Sequence, residues 1–181
     1  MSLLKKKQEY FKETVRIKMK EAERLKEALN FAAQKHEGQY RIGGQPYITH
    51  PKEVAEMLGR QGYDIDYQIA GLFHDLLEDT DADEAEIESI GGKEVLEAVK
   101  RLTKKKGYVM ADYIAGIKEN PMAKAVKAAD RLHNLRCAVV TDERFRRRYI
   151  QESMEWYLDF SPEIPKAVKD LAATLDQTIP V

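Results

Sequence analysis

The chain has 181 residues, 43% hydrophobic and 34% charged, with 30 Lys and Arg against 31 Asp and Glu for a formal net charge of −1. That length suits one domain able to bury a core without disulfide or metal staples, and the composition excludes disorder of the whole chain. The balanced charge lacks the broad basic field of a nucleic-acid binder, no apolar run approaches the roughly 18 residues that cross a bilayer, and the single cysteine, Cys137, excludes an intrachain disulfide or a multi-cysteine zinc site.

Lys5, Lys6 and Lys7 lead into a charged segment rather than a signal-peptide core, so a cytoplasmic protein is expected, with neither membrane nor nucleic acid as partner. Proline and glycine leave about eight segments of helical length, and none shows strand alternation, which makes the expected class all-α, a compact multi-helix bundle. A first helix is expected from about Gln8 to Gln34, with apolar positions sparse before Leu25, Leu29 and Ala32. The expected organisation is an N-terminal helical extension over 1–24, a domain over 25–160 and a C-terminal helix within 161–181 packing on it.

Pro51 suits the first turn of a helix carrying Val54, Met57 and Leu58, and Gly62 sits where a left-handed cap would end it. The next helix is expected from Asp66 through Ile69, Leu72, Phe73, Leu76 and Leu77, apolar over so wide an arc that it should be central and buried. Further helices are expected at about Asp83 to Ser89, Lys93 to Leu102, Met110 to Glu119, Met122 to Val140, Glu143 to Asp159 and Ile164 to Gln177.

On that central helix His74 would stand above Glu78 and Asp75 above Asp79, because residues four apart share a face. Burying four ionisable groups unpaired costs several kcal/mol, so they require partners: a cation, or ordinary pairing where a helix end opens to solvent. His50, in Pro46-Tyr47-Ile48-Thr49-His50-Pro51, sits at a helix start, where a lone histidine is an ordinary capping residue. Asp130 and Asn134 lie in Val126-Lys127-Ala128-Ala129-Asp130-Arg131-Leu132-His133-Asn134, on a helix whose alanines allow close approach. Imidazoles and carboxylates drawn from three segments would make a nitrogen and oxygen site suited to manganese, iron or zinc better than to magnesium or calcium.

The doublet His74-Asp75 followed by Glu78-Asp79-Thr80 resembles the motif of HD-domain phosphohydrolases. The stretches His36 to Arg41, Gly44 to Pro51, His74 to Thr80, Thr103-Lys104 and Ala129 to Asn134 follow, in order, the pattern of the RelA/SpoT hydrolase family, over about residues 25 to 160. The chain is similar to the stand-alone small alarmone hydrolases, and the resemblance implies an HD bundle with a mononuclear metal site. It aligns His50, His74, Asp75 and Asp130 with the metal ligands, Glu78 and Asp79 with the catalytic acid pair, and Arg41, Lys104 and Asn134 with substrate contacts. His36 is not carried over as a ligand. The implied reaction is hydrolysis of the 3′-pyrophosphate of ppGpp or pppGpp to GDP or GTP and pyrophosphate, with Mn²⁺ or another divalent transition metal. Ile42 stands where the family commonly has lysine, which puts guanine-nucleotide selectivity in question.

Other features have plainer readings. Arg144, Arg146, Arg147 and Arg148 could face phosphates but read more plainly as a solvated helix face, and Tyr149, Trp156, Tyr157 and Phe160 as packing rather than a stacking platform. Cys137 reads as a small helix residue. The alternatives to an alarmone hydrolase are an HD phosphohydrolase for another nucleotide, such as NADPH, and a nucleotide-sensing domain with little activity. A homo-oligomer stays open.

Overall fold

The computed structural model describes residues 3–175, and these form ten α-helices and one 3-10 turn. In order they are α1 (Leu3–Lys35), α2 (Thr49–Arg60), α3 (Ile65–Phe73), α4 (Leu76–Asp79), α5 (Glu84–Gly91), α6 (Lys93–Leu102), α7 (Met110–Lys118), α8 (Pro121–Cys137), the 3-10 turn Ala138–Val140, α9 (Glu143–Trp156) and α10 (Ile164–Ala173). Among the described residues the only β feature is an isolated bridge between Tyr40 and Pro46. The expected all-α class holds. The last helix, expected to reach Gln177, ends at Ala173 with Thr174 as its cap, and Gln177 itself lies outside the described residues.

Local chemistry sets most boundaries. Asp64 caps α3 by accepting from the Asp66 and Tyr67 amides, Asp83 and Glu86 close a reciprocal capping box on α5, and Asn120 caps α8 just before Pro121. Gly62 ends the α2 turn at φ 86°, a conformation that costs glycine nothing.

The core forms where α8, buried along most of its length, packs on α2, α3, α6, α7, α9 and α10. Leu58, Ile69, Leu72, Phe73, Leu76, Ile87, Ile117, Leu132, Leu135, Ile164 and Leu171 are fully buried there, each worth about 1.5–3 kcal/mol in apolar surface removed from water. Helices α2 and α3 pack closely at Gly71, where a Cβ would come within 3.0 Å of Leu58 Cδ1 and 3.2 Å of the Ala55 backbone. That close approach brings the chemistry-bearing starts and ends of the two helices together.

Helix α1 is continuous, but its side chains between Lys6 and Glu23 are exposed apart from half-buried Thr14. It meets the bundle at Arg24, whose guanidinium bonds Asp66 at 2.6 Å and the Ile90 and Gly91 carbonyls, and further along at Lys35, 2.9 Å from Glu86.

The structure corrects one expected element. Rather than one helix from Asp66 to Leu77, α3 stops at Phe73 and α4 starts at Leu76, with His74 and Asp75 (φ −102°, ψ −4°) forming the joint. The Gly71 carbonyl faces the His74 Nδ1 at 2.8 Å, while the Asp75 carbonyl accepts from Glu78 and Asp79 as a new turn begins. The apolar pattern runs through the joint unbroken, so periodicity could not reveal it.

Candidate metal centre and its cleft

Three segments deliver the site. The loop before α2 folds back on itself: the Arg41 amide donates to Gln45, the Gly44 amide to Arg41 and the Tyr47 amide to Gln39, all at 2.8–2.9 Å. This brings the chain into α2 with His50 on its first turn, 2% exposed. His74 (3% exposed) and Asp75 come from the α3–α4 joint, and Asp130 (5% exposed) from the middle of α8, beside Ala128 and Ala129.

His50, His74 and Asp130 each offer a ligand atom, all lying within 4.8 Å of one another. Asp130 Oδ1 is 3.2 Å from His50 Nε2 and 3.8 Å from His74 Nε2; Asp75 Oδ2 is 3.0 Å from His74 Nε2 and 3.8 Å from His50 Nε2. All four residues that the resemblance aligned with metal ligands therefore meet at one point, and Asp75 is the most solvent-accessible of them.

The donor set fits a divalent metal. His74 Nδ1 faces the Gly71 carbonyl, which fixes the ring and leaves Nε2 aimed into the cluster; that buried atom makes no well-aligned hydrogen bond although Asp75 lies 3.0 Å away. A ring lone pair facing two carboxylates is repulsive unless something positive lies between them. With no metal, a proton takes that part: burial opposes charging His74, but Asp75, Asp130 and the Gly71 carbonyl raise its pKa to about 9. His50, where burial outweighs Asp130, is lowered instead. Asp75 and Asp130 resist the upward push of burial because His74 and Lys127 respectively, the largest opposing charges, hold both well below the ordinary carboxylate range.

Sequence reasoning missed the groups that support these four residues. Lys127 Nζ, on the turn before Asp130, donates to Asp130 Oδ2 at 2.8 Å; the three-residue spacing on one helix was a readable signal. Tyr47 donates its hydroxyl proton to Asp75 Oδ2 at 2.7 Å, and burial together with that carboxylate pushes its pKa far up, so it remains a donor. His133 Nδ1 lies 2.7 Å from His50 Nδ1 and its Nε2 lies 3.5 Å from the Cys137 sulfur. Burial lowers the His133 pKa to about 4, with His50 and Arg41 adding to the effect. Cys137 thus has a polar neighbour beyond the plain packing role read from sequence.

Glu78 and Asp79 sit at the rim of the centre, both exposed. Glu78 Oε2 accepts from the Lys104 backbone amide at 2.9 Å, and Asp79 Oδ2 is 3.4 Å from the Tyr47 hydroxyl. Burial and the Asp75 and Glu78 charges raise the Asp79 pKa. From the centre a cleft of about 670 Å³ opens, lined among others by Arg41, Ile42, Lys104, Asn134, Arg148 and Tyr149. Arg41 donates to Asn134 Oδ1 at 2.9 Å and Asn134 donates to Asp130 Oδ1 at 2.6 Å, so two of the expected substrate contacts connect to a candidate metal ligand. The Lys104 ammonium lies 5.7 Å from the Tyr108 and Tyr113 ring centroids.

The basic run does not form one solvated face. Arg147 pairs with Glu143 at the surface and Arg146 bonds Thr174 at 2.8 Å, but Arg148 lines the cleft. Of the aromatics, Tyr157 and Phe160 are core residues and Trp156 and Tyr149 pack half-buried against the core as expected, while Tyr149 also lines the cleft with the Arg131 guanidinium 4.2 Å from its ring centroid.

An HD domain model matches residues 28–161, a span that contains every group of the centre. The chain belongs to the HD domain family. Among its relatives, it is 38% identical over 144 residues to a guanosine-3′,5′-bis(diphosphate) 3′-pyrophosphohydrolase of Aquifex aeolicus (strain VF5), covering 75% of this chain and 21% of that protein. It is 37% identical over 145 residues to the bifunctional (p)ppGpp synthase/hydrolase SpoT of Escherichia coli (strain K12), covering 74% of this chain and 21% of that protein. The chain thus spans about a fifth of the length of the curated relatives it matches. A solved structure, that of a metazoan ortholog of SpoT that hydrolyzes ppGpp and plays a role in starvation responses, superposes with a TM-score of 0.63 at 26% identity, covering 84% of this chain and 92% of that one.

Proposed function

We propose that this chain is a manganese-dependent hydrolase of the 3′-pyrophosphate of ppGpp and pppGpp, releasing pyrophosphate and GDP or GTP in the cytoplasm. The observation that carries the reading is the meeting of His50, His74, Asp75 and Asp130 at the floor of a cleft whose walls supply Arg41, Lys104 and Arg148. Its likeness to relatives named for that reaction, over three quarters of its length, supports the same substrate.

His50, His74, Asp75 and Asp130 hold the metal, which when bound neutralises phosphoryl oxygens and lowers the pKa of water at the site. Tyr47 and Lys127 orient the two carboxylates by occupying one oxygen of each. Glu78, tethered at the rim by the Lys104 amide, orients the attacking water and takes its proton; Asp79, whose raised pKa lets it carry a proton closer to neutrality, hands one to the leaving oxygen. Arg41 and Arg148 neutralise phosphates or stack on the purine, and Asn134 keeps Arg41 in register with Asp130.

Ile42 is 74% exposed and lines the same cleft, an apolar surface where the family commonly carries a cation. This favours, as the second reading, a nucleotide with a ribose phosphate such as NADPH. The test is metal-stripped protein incubated with ppGpp or NADPH, with and without Mn²⁺, scoring GDP, pyrophosphate and inorganic phosphate, with Asp75→Ala and Glu78→Ala as controls. Manganese-dependent pyrophosphate release lost in both variants is expected. Phosphate release from NADPH alone selects the second reading, and binding of ppGpp without turnover selects a sensor.

A further inference from the structure

His50 has two ring nitrogens and both are engaged. Nε2 points into the metal centre, 3.2 Å from Asp130 Oδ1, while Nδ1 lies 2.7 Å from Nδ1 of His133. The two ring planes lie within 26° of each other with centroids 4.9 Å apart, and the His133 Nε2 reaches the Cys137 sulfur at 3.5 Å, one helical turn further along α8. Asp130, His133 and Cys137 therefore share one helix, and the file of groups runs from Asp130 through His50 and His133 to a half-buried thiol.

Two nitrogens 2.7 Å apart share one proton, so the tautomer of one ring dictates that of the other. A neutral His50 that offers its Nε2 lone pair to a metal must carry its proton on Nδ1, and the acceptor for that proton is His133 Nδ1. His133 must then be protonated on Nε2, where the Cys137 sulfur accepts. In the metal-free centre the order reverses: His50 Nε2–H faces the Asp130 carboxylate, and the shared proton sits on His133. Going from one state to the other, the His50 Nε2 proton leaves to solvent, the shared proton passes from His133 to His50, and His133 takes one proton from solvent on Nε2, so both rings stay neutral.

We propose that His133 is a positioning residue that holds His50 in the metal-binding tautomer, with the Cys137 sulfur placed to accept the His133 Nε2 proton in that state. This rests on the metal centre proposed above. Outer hydrogen-bond partners of ligating histidines are worth about 10–100-fold in metal affinity, which sets the size of the expected effect.

The test titrates the metal-stripped full chain with Mn²⁺, reading free Mn²⁺ by electron paramagnetic resonance. His133→Leu removes the acceptor and is expected to weaken binding by about 10–100-fold. His133→Asn, whose side-chain oxygen falls near the lost Nδ1, is expected to restore most of it. A second measurement does not depend on variants folding: ¹⁵N spectra of the wild type before and after Zn²⁺ should show both imidazoles exchanging tautomer, with His133 protonated on Nε2 only in the loaded form. Cys137→Val should return part of the His133 population to the other tautomer. The proposal falls alone if the wild type binds metal but His133→Leu binds as tightly, if His133→Asn is as weak as His133→Leu, or if loaded His133 keeps its proton on Nδ1. If the wild type takes up neither Mn²⁺ nor Zn²⁺, the metal centre falls and takes this proposal with it.

Discussion

Replacing Lys127 with methionine isolates the buried ion pair at the centre. The Lys127 and Asp130 side chains are 12% and 8% exposed, with Nζ and Oδ2 2.8 Å apart. Methionine keeps most of the aliphatic stem, so little packing is lost and the change removes mainly the charge. At an effective dielectric of ~20 the pair attracts by about 6 kcal/mol, and deleting one member of a buried pair costs about 3–5 kcal/mol because the other is left uncompensated. His50 and Asn134 face Oδ1 rather than Oδ2, so they do not replace the ammonium.

For a chain of this size about 3 kcal/mol lowers Tm by about 6–12 °C. The assay is thermal unfolding by circular dichroism in EDTA, repeated with saturating Mn²⁺, where a second cation at Asp130 should narrow the gap. The pH dependence has a definite sign. Asp130 is held well below its ordinary pKa by Lys127 against burial, so its contribution is present above the ordinary carboxylate range and is lost as pH falls through the depressed value. The variant keeps only the lowering due to His50 and His74, so it loses less, and the gap narrows in acid. A Lys127→Met protein melting within about 2 °C of wild type in EDTA at pH 7 would refute the claim that Lys127 neutralises Asp130.

Three further outcomes are expected. Mn²⁺ at about 100 times its Kd should stabilise the wild type against urea by about 2.7 kcal/mol, and His74→Ala should abolish the increment. Gly71→Ala should cost about 1–3 kcal/mol and also weaken Mn²⁺ binding, because its Cβ meets Leu58 and the Ala55 backbone and pushes α2, which carries His50, away from α3, which leads into His74; equal stability in urea would show that α2 gives way freely. Asn120→Ala should cost about 1 kcal/mol through loss of the α8 cap, with Mn²⁺ affinity unchanged in the same titration.

The sequence by itself determined the helical class, most helix limits and the identity of the groups that converge at the centre. Those limits depend on chemistry within a few residues: Pro51 and Pro121 in first turns, Gly62 after a last one, Asp83 and Glu86 closing a cap. The candidate ligand set was legible because His50, the His74-Asp75 doublet and Asp130 each sit in a recognisable local motif. Only the tertiary structure decided the joint between Phe73 and Leu76, since the apolar period is the same whether the chain continues as one helix or turns to place two adjacent side chains in one centre. It also decided that Arg148 faces the cleft while Arg147 faces solvent, and that Tyr47 reaches Asp75 across 28 residues and His133 reaches His50 across 83. A hydrogen bond between residues so far apart leaves no periodicity in the chain; it exists only once α2, α3 and α8 have packed and fixed the distances between them.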